Sequence, residues 1–282
     1  MHPIASVTKS IVSLLIGIAV DQGYISSIDN PIASYFPEYA DVFAADTQKI
    51  VLTTRHLLTM SSGLEWDEWS YPYTSSLNSH NQMEHSADWI RFILELPLIH
   101  DPGTYFTYNS GNSILQGSII NQACEQPADD WAETVLFGPL GITTYSWSSQ
   151  SNGLPHTGGG VSMRPRDLAK IGFVVLNSGK WGSTQIVSED WIEQSIQPAM
   201  TIWSGVKYGF NWWLRQLPNI FGFRPEDNDI IHGVGYAGQY LFIIPRLNMV
   251  VVCNSWNENE LESAPLGILY QFILLAVDPE TI

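Results

Sequence analysis

The chain has 282 residues, with 12 Lys and Arg against 28 Asp and Glu, which gives a formal net charge of −16. Its 45% apolar and 12% aromatic residues exclude an acidic disordered chain and indicate a folded globular protein. Nucleic acid and anionic membranes bind basic surfaces, and the few bases here are scattered along the chain. Neither is therefore expected as a partner.

Membrane, export and cofactor signals are weak in this sequence. No segment approaches the roughly 18 consecutive apolar residues of a membrane-spanning helix, so no span is expected. No basic segment precedes the first apolar helix, so no signal peptide is expected, although a longer precursor would allow export and the compartment stays open. Cys124 and Cys253 are too few for a disulfide framework, and the seven His form no His-Glu-x-x-His pattern. We expect neither a metal nor an organic cofactor.

Hydrophobic periodicity predicts helices through the first two thirds of the chain. Apolar residues at 11, 14, 15, 18 and 19 form one helical stripe within 6–22, and Gly23 follows as a stop signal. Further helices are predicted over 54–59, 87–94, 110–122, 128–135 and 166–177. Ser188 is the predicted N-cap of a helix that runs to 197.

The last third changes to short β-branched and aromatic segments that are separated by turn residues. Strands are predicted over 208–214, 230–232, 240–244 and 249–254, and a final helix over 261–276. This order predicts one α+β domain over 1–282, in which the first and last helices cover an antiparallel sheet. A mostly helical lobe is expected over about 24–165, and the part that carries the sheet over about 200–282.

The most informative short pattern is Ser6-Val7-Thr8-Lys9. Positions i and i+3 share a helix face, so the Lys9 amine can reach the Ser6 hydroxyl and act as the base that a serine nucleophile needs. The pattern alone is weak, because Ser204 and Lys207 repeat it where a strand is predicted and the two side chains would diverge. An N-cap role for Ser6 and a solvated Lys9 stay open at this point.

Two later segments strengthen the catalytic interpretation. Residues 105–112 read Tyr-Phe-Thr-Tyr-Asn-Ser-Gly-Asn, and residues 231–239 read Ile-His-Gly-Val-Gly-Tyr-Ala-Gly-Gln. Together with Ser6 and Lys9, in this order, they resemble the three motifs of the serine beta-lactamase and penicillin-binding-protein superfamily. The resemblance is to the class C branch, which includes esterases and D-amino-acid peptidases, and it extends from residue 4 to about 275.

The resemblance implies a beta-lactamase-like fold and a role for each motif residue. Ser6 would be the nucleophile that accepts the acyl group, and Lys9 would handle its proton. Tyr108 would act with Lys9 as general base and then as acid to the leaving group, helped by a nearby ammonium that lowers the phenol pKa. The oxyanion hole would combine the Ser6 amide with a strand amide near Gly238 and Gln239.

Two departures from the family pattern bear on the substrate. Ser110 stands where the second motif usually ends in Asn, so an amide that holds the acyl group is missing. His232 stands near the usual Lys of the third motif, where it would be a weaker, pH-dependent cation for a substrate carboxylate, or else a hydrogen-bonded structural residue. Small esters, amides or D-amino-acid peptides are therefore the expected substrates.

Two alternative functions and one alternative assembly also follow from the sequence. In the first alternative function, the chain is a genuine beta-lactamase. In the second, it is a non-catalytic module that binds a ligand or peptidoglycan. Relatives carry a helix and strands before the nucleophile helix, whereas five residues precede Ser6 here. The chain is thus expected to be a shortened member, or a homo-oligomer in which a second copy covers the exposed sheet edge.

Overall fold

The computed structural model describes residues 1–150, 152–217, 229–257 and 263–277. Its helices are α1 Thr8–Asp21, α2 Ala40–Ala45, α3 Thr54–Leu58, α4 Ser79–His85, α5 Trp89–Glu95, α6 Ser110–Cys124, α7 Ala128–Ala132, α8 Pro165–Leu176, α9 Glu189–Ser195 and α10 Ala264–Ile268. Its strands are β1 His2–Pro3, β2 Tyr145–Trp147, β3 Val161–Met163, β4 Lys180–Trp181, β5 Thr184–Gln185, β6 Met200–Trp203, β7 Val206–Tyr208, β8 Trp213–Arg215, β9 Ile230–Gly235, β10 Gln239–Ile244 and β11 Met249–Cys253. The predicted α+β class is confirmed, while the division into two lobes stays a prediction.

Helix α1 lies inside the protein rather than on its surface. Its residues from Thr8 to Ala19 are all buried, because the apolar stripe of the sequence is completed by small and hydroxyl side chains. A 3₁₀ turn at Ala5–Val7 precedes it, so the α-helix begins two residues later than predicted. Ala5 has φ +45°, a left-handed conformation that is unusual for a residue with a side chain. Ser6 is therefore presented on a bent entry to α1.

The main sheet has six antiparallel strands in the order β11-β10-β9-β8-β7-β6. Strand β10, the second from one edge, is buried along its whole length, and alternate residues enter different cores. Leu241 and Ile243 belong to the main core, which also contains residues of α1 and α8. Tyr240, Phe242 and Ile244 pack with Leu269 and Leu274 of the C-terminal segment. The predicted cover of helices on both sheet faces is therefore present.

Two predicted elements differ in detail. The predicted strand 208–214 is broken into β7 and β8, because a tight turn joins Gly209 to Trp212 and Asn211 has φ +59°. The predicted helix 261–276 is α10 followed by a π-helical turn at Leu269–Ile273 and a 3₁₀ turn at Leu274–Ala276. The start of that prediction, 261–262, lies outside the described residues.

A small sheet that the sequence did not indicate lies beside the entry to α1. It has the order β1-β3-β2, and His2 and Pro3 pair with Met163 and Ser162. The amide of Ile4 continues this pairing by donating to the carbonyl of Val161. These bonds hold the backbone that leads into Ser6. Among the described residues, none of the helices has the length and apolar character needed to cross a bilayer.

We expect Gly17→Ala to lower the free energy of unfolding by about 1–3 kcal/mol, as overpacking of a core does. A Cβ at Gly17 would lie 2.3 Å from Cδ1 of Trp191, which packs α9 against α1. Urea denaturation measures the change. Gly267→Ala in α10 is the control, since a Cβ there meets nothing within 4 Å. A Gly17 variant as stable as the control would contradict the close packing of α1 on α9.

Candidate active site

Ser6 and Lys9 are in direct contact at the start of α1. The Lys9 amine donates hydrogen bonds to Ser6 Oγ, at 2.9 Å, and to the carbonyl oxygen of Gly158, at 2.6 Å. Ser6 lies in the 3₁₀ turn and Lys9 in the first turn of α1, so helical spacing brings their side chains together as predicted. Gly158 belongs to a turn far along the chain, and its carbonyl fixes the amine from the opposite side.

Burial determines the charge state of Lys9. The side chain is only 2% exposed, and this desolvation lowers its pKa to about 8, while the negative charge of Glu68 works in the opposite direction. A solvated surface role is therefore wrong for Lys9. An N-cap role is also wrong for Ser6, because the N-cap of α1 is Val7. A lysine with a pKa near 8 supplies a substantial fraction of neutral amine at moderately alkaline pH.

The second Ser-x-x-Lys copy does not form such a pair. Ser204 lies in the turn before β7, and Lys207 lies on β7. The Lys207 amine donates instead to Thr201 Oγ1 of the neighbouring strand β6, at 3.1 Å. The two copies have the same spacing but a different backbone conformation, which explains the difference.

Tyr108 lies beside this pair, immediately before α6. Lys9 Nζ is 5.0 Å from the centre of its ring, and Trp69 stacks on the ring at 5.5 Å between centroids. Burial and the charge of Glu68 raise the pKa of Tyr108 far above its ordinary value, although a hydrogen bond with Ser6 acts in the opposite direction. The expectation that a nearby ammonium lowers this pKa is wrong, because the ammonium faces the ring and burial dominates. Tyr108 is a neutral phenol in the resting site.

Glu68 is a buried carboxylate that sequence reasoning did not assign to the site. It is 4% exposed and accepts four hydrogen bonds: from the Ser110 amide and hydroxyl at 2.8 and 2.7 Å, and from Trp66 Nε1 and the Tyr73 hydroxyl at 2.8 Å each. Burial alone would raise its pKa, but Lys9, His80 and the bonds from Ser110 hold the pKa below its ordinary value. Glu68 is thus the negative charge that balances Lys9.

The role expected for Ser110 changes as a consequence. Ser110 lines the cavity beside Ser6, but its hydroxyl proton is already donated to Glu68. The neighbouring Asn109 is the N-cap of α6 and accepts from the amide of Asn112. The second motif therefore starts a helix and holds a buried carboxylate, in addition to placing Tyr108.

Asn211 joins α1 to the rest of the protein at the level of Lys9. Its side-chain amide donates to the carbonyl oxygen of Lys9, at 3.0 Å, and to Gln116 Oε1 of α6, at 2.7 Å. Its own carbonyl accepts from the Ser10 hydroxyl at 2.9 Å. The turn between β7 and β8 thus contacts α1, which carries Lys9, and α6, which begins two residues after Tyr108.

Ser6 lies where two cavities meet. We call them the aromatic cavity, of about 460 Å³, and the polar cavity, of about 420 Å³. Ser6, Glu68, Tyr73 and Tyr236 line both. The aromatic cavity also contains Trp69, Ser70, Tyr71, Pro72, Tyr108, Trp213, Val234 and Gly235. The polar cavity also contains Ala5, Thr74, His80, Glu84, Ser110, Ser148, His156, Gly158, Gly159 and Gly160.

The part of the third motif that lines the cavities differs from the part that was expected to do so. The end of β9, at Val234 and Gly235, and the following Tyr236 face the cavities. Gly238 lies in the hairpin turn with φ +86° and is not a lining residue of either cavity. The Gln239 carboxamide is used inside the protein, where its oxygen accepts from Asn254 Nδ2 at 3.1 Å. Gly238 and Gln239 therefore line neither of the cavities that contain Ser6.

His232 likewise lines neither cavity. It is 1% exposed among aromatic rings of the sheet, and its Nε2 accepts from Arg215 Nε at 3.1 Å. Burial, reinforced by the adjacent Arg215, places its pKa well below the ordinary value, so the ring is neutral. The expectation of a pH-dependent cation that docks a carboxylate is therefore wrong, and the alternative of a hydrogen-bonded structural residue matches the geometry.

The polar cavity holds a group of side chains that the sequence analysis did not single out. His80 and Glu84 project from α4, and His156 comes from the turn before Gly158; we call them the His–Glu–His cluster. His80 Nδ1 lies 3.6 Å from Oε2 of Glu84, and His156 Nε2 lies 3.4 Å from Oε1 of the same carboxylate. The i, i+4 spacing of His80 and Glu84 was the available sequence signal, but nothing in the sequence placed His156 beside them.

Activity that depends on neutral Lys9 should rise with pH around 8, and Glu68→Gln should move this rise to lower pH. Glu68 is the group that raises the Lys9 pKa, so removing its charge leaves burial to lower that pKa further. The pH dependence of kcat/KM for an ester measures the shift. Asp67→Asn, at the adjacent and more exposed position, is the control that should keep the wild-type profile. A profile that is unchanged in Glu68→Gln would contradict the coupling.

The fold and the Ser–Lys pair in a cavity define a serine hydrolase of the beta-lactamase fold. The family model described as Beta-lactamase matches residues 1–270. The chain therefore belongs to the Beta-lactamase family.

Individual relatives are distant. A 6-aminohexanoate-dimer hydrolase from Paenarthrobacter ureafaciens is 25% identical over 276 residues, which is 90% of this chain and 66% of that protein. A Bacillus anthracis structure, provisionally assigned to the same activity, has a TM-score of 0.78 at 20% identity and covers 96% of this chain and 71% of its own. EstCE1, a hydrolase with promiscuous acyltransferase activity, has a TM-score of 0.76 at 17% identity, covering 94% and 84%. These structural likenesses establish the fold.

Proposed function

We propose that this protein hydrolyses small esters and linear amides through an acyl-enzyme on Ser6. The observation that carries the proposal is the 2.9 Å contact between Ser6 Oγ and the buried Lys9 amine, at the meeting point of the two cavities. Lysine is an effective base for a serine hydroxyl only when its pKa is lowered, and burial does this here.

Acylation follows from the positions of Lys9 and Tyr108. The neutral Lys9 amine takes the proton of the Ser6 hydroxyl as Oγ forms its bond to the substrate carbonyl carbon. The tetrahedral intermediate then breaks its bond to the leaving oxygen or nitrogen, which receives a proton from the Tyr108 hydroxyl. The Lys9 ammonium then gives the proton that it took from Ser6 to the Tyr108 phenolate, so both groups are neutral again in the acyl-enzyme. The neutral phenol of Tyr108 suits it to this acid role.

Deacylation uses the same groups in reverse. A water molecule gives one proton to Lys9 as its oxygen bonds to the acyl carbon, and Oγ leaves with a proton from Tyr108. Lys9 then returns its proton to Tyr108, which restores the resting site. The Gly158 carbonyl keeps the amine in place throughout, because it accepts a hydrogen bond from either charge state of Lys9.

The oxyanion hole needs two donors near the reacting carbonyl. We assign one to the Ser6 amide, as the family resemblance implies. For the second donor we replace Gly238 and Gln239 with the amide of Tyr236, since Tyr236 lines both cavities together with Ser6. This amide directly follows β9, whose end at Val234 and Gly235 lines the aromatic cavity, and that supports the assignment.

Substrate class is suggested by the aromatic cavity and by the relatives. Trp69 stacks on Tyr108 and lies 6.4 Å from Trp213 between ring centroids, which makes a wall for an acyl chain. A relative acts on the 6-aminohexanoate dimer, a linear amide. We therefore include short linear amides beside esters and D-amino-acid peptides.

The two alternatives make different predictions. A genuine beta-lactamase needs a cation for the beta-lactam carboxylate, and the described part of β9 that lines the cavities offers only Val234 and Gly235. Cephalosporin turnover is therefore expected to be slow. A non-catalytic module would bind ligands without acyl transfer, which the short Ser6–Lys9 contact does not favour.

A fluorophosphonate probe followed by peptide mass spectrometry tests the proposal. The expected result is one adduct, on Ser6, and turnover of members of a panel of nitrophenyl esters, 6-aminohexanoate dimer, D-alanyl peptides and a chromogenic cephalosporin. An adduct elsewhere, or none together with no turnover, would overturn the proposal. Cephalosporin turnover that equals ester turnover would favour the beta-lactamase alternative.

Assembly is a separate part of the proposal. β11 and β6 are the outer strands of the main sheet, and outer strands carry unpaired backbone groups that a second copy can cover. We propose a homo-oligomer. Sedimentation of the purified chain at several concentrations tests it, and a monomer at all of them would contradict it.

A further inference from the structure

We propose that the His–Glu–His cluster of His80, Glu84 and His156 is a binding site for one divalent transition-metal ion, with Zn²⁺ as the reference ion. This site lies on the wall of the polar cavity and is separate from the Ser6–Lys9 pair. It also departs from the expectation that the chain takes no metal, which rested on the absence of a contiguous zinc motif.

The three side chains already converge on one point. One ligand atom from each residue lies within 4.8 Å of the other two. Ligand atoms at about 2.0–2.2 Å from a tetrahedral ion lie roughly 3.4 Å apart. The separations of 3.4 Å from Glu84 Oε1 to His156 Nε2 and 3.6 Å from Glu84 Oε2 to His80 Nδ1 are close to this value, with one oxygen facing each ring. Binding of one ion by all three residues therefore needs a small rotation of the Glu84 carboxylate, whose side chain is 38% exposed.

The same separations argue against a site that is complete without an ion. A charged histidine bonded to a carboxylate lies at about 2.7–2.9 Å, and both observed distances are longer. Nδ1 of His80, the atom nearest Glu84, is buried and makes no hydrogen bond with any described residue. Buried polar atoms of this kind are costly unless a ligand or ion engages them.

The donor set selects the class of metal. Two imidazoles and one carboxylate are typical ligands of Zn²⁺ in sites that leave a fourth position open, and hard ions such as Ca²⁺ and Mg²⁺ prefer oxygen donors alone. All three residues line the polar cavity, so a fourth ligand, water or an oxygen atom of a bound molecule, would come from that cavity.

Isothermal titration of metal-free protein with Zn²⁺, made without a histidine tag, tests the site. We expect one equivalent to bind to the wild type, and Glu84→Gln to weaken binding by about tenfold to 100-fold or more. His85→Asn is the matched control, because His85 is an exposed histidine on the same helix and should leave the affinity unchanged. Glu84 is 38% exposed, so its replacement should not prevent folding, and circular dichroism verifies this.

Co²⁺ provides a second readout that does not depend on a variant. A tetrahedral nitrogen and oxygen site should give visible Co²⁺ absorption bands that disappear when Zn²⁺ replaces Co²⁺. Zn²⁺ should also raise Tm by more in the wild type than in Glu84→Gln. Absence of stoichiometric binding would overturn the proposal. Equal affinity in Glu84→Gln would also overturn it, because the zinc would then be bound by other histidines. Labelling of Ser6 by a fluorophosphonate is measured separately, so failure of the metal site is distinguishable from failure of the hydrolase proposal.

Discussion

Replacing Ser6 with alanine is expected to lower kcat for the best ester substrate by on the order of 10⁴-fold or more. The variant keeps both cavities and Lys9 but loses the atom that forms the acyl-enzyme. The loss should appear in steady-state rates and as disappearance of the acylated species from intact-protein mass spectra. Binding of substrate should persist, since the residues that line the aromatic cavity remain.

Ser204→Ala is the matched control for this measurement. Ser204 has the same Ser-x-x-Lys spacing to Lys207, lies on the surface, and lines neither cavity. Its removal should leave kcat at the wild-type value. If the Ser6 variant kept its esterase activity, the nucleophile would be a different group and the proposed function would fail.

Replacing Lys9 with methionine is expected to lower kcat by about 10²–10⁴-fold, the usual contribution of a general base. Methionine fills a similar volume in the buried space but takes no proton from Ser6. The rise of kcat/KM around pH 8 should disappear, because the group that titrates there is gone. Glu68 would also lose its counter-charge, so thermal unfolding should occur at lower temperature than in the wild type.

Lys49→Met separates the chemical loss from the loss of stability. Lys49 is likewise buried, and its amine donates to the carbonyl oxygen of Leu94 at 2.7 Å and lies 3.5 Å from Asp46. This variant should be less stable than the wild type and yet keep its pH profile. A Lys9 variant that retained the rise near pH 8 would show that another group acts as the base.

The local part of the site was predictable from sequence because helix geometry determines it. Ser6 and Lys9 lie one turn apart, and no long-range contact is needed to bring them together. Tyr108 was predicted through its motif and its family resemblance. Glu68 was not assigned, since it lies 42 positions before Ser110 and no sequence pattern reveals the hydrogen bonds between these two residues. The same holds for His156, which reaches Glu84 only through the folded turn.

The errors in the site residues that were predicted on the sheet have a different origin. A strand alternates its faces, so an uncertain motif register cannot decide which residues point to the nucleophile. His232 was expected at the site but is buried among the sheet's rings, while Tyr236 lines both cavities. The long helices and the strands β9 to β11 were predictable from apolar periodicity. Strands of two or three residues, such as β1 and β3, are too short to show any period.

The side-chain amide of Asn211 joins three parts of the chain: its own turn between β7 and β8, α6 through Gln116, and α1 through the backbone carbonyl of Lys9. A shift of α6 relative to the sheet would therefore change the position of the Lys9 amine, although no group that touches substrate is altered. We expect substitutions of the buried Gln116 to lower the reaction rate, because they remove its hydrogen bond with Asn211. Activity should therefore be sensitive to distant mutations that break either hydrogen bond of the Asn211 carboxamide.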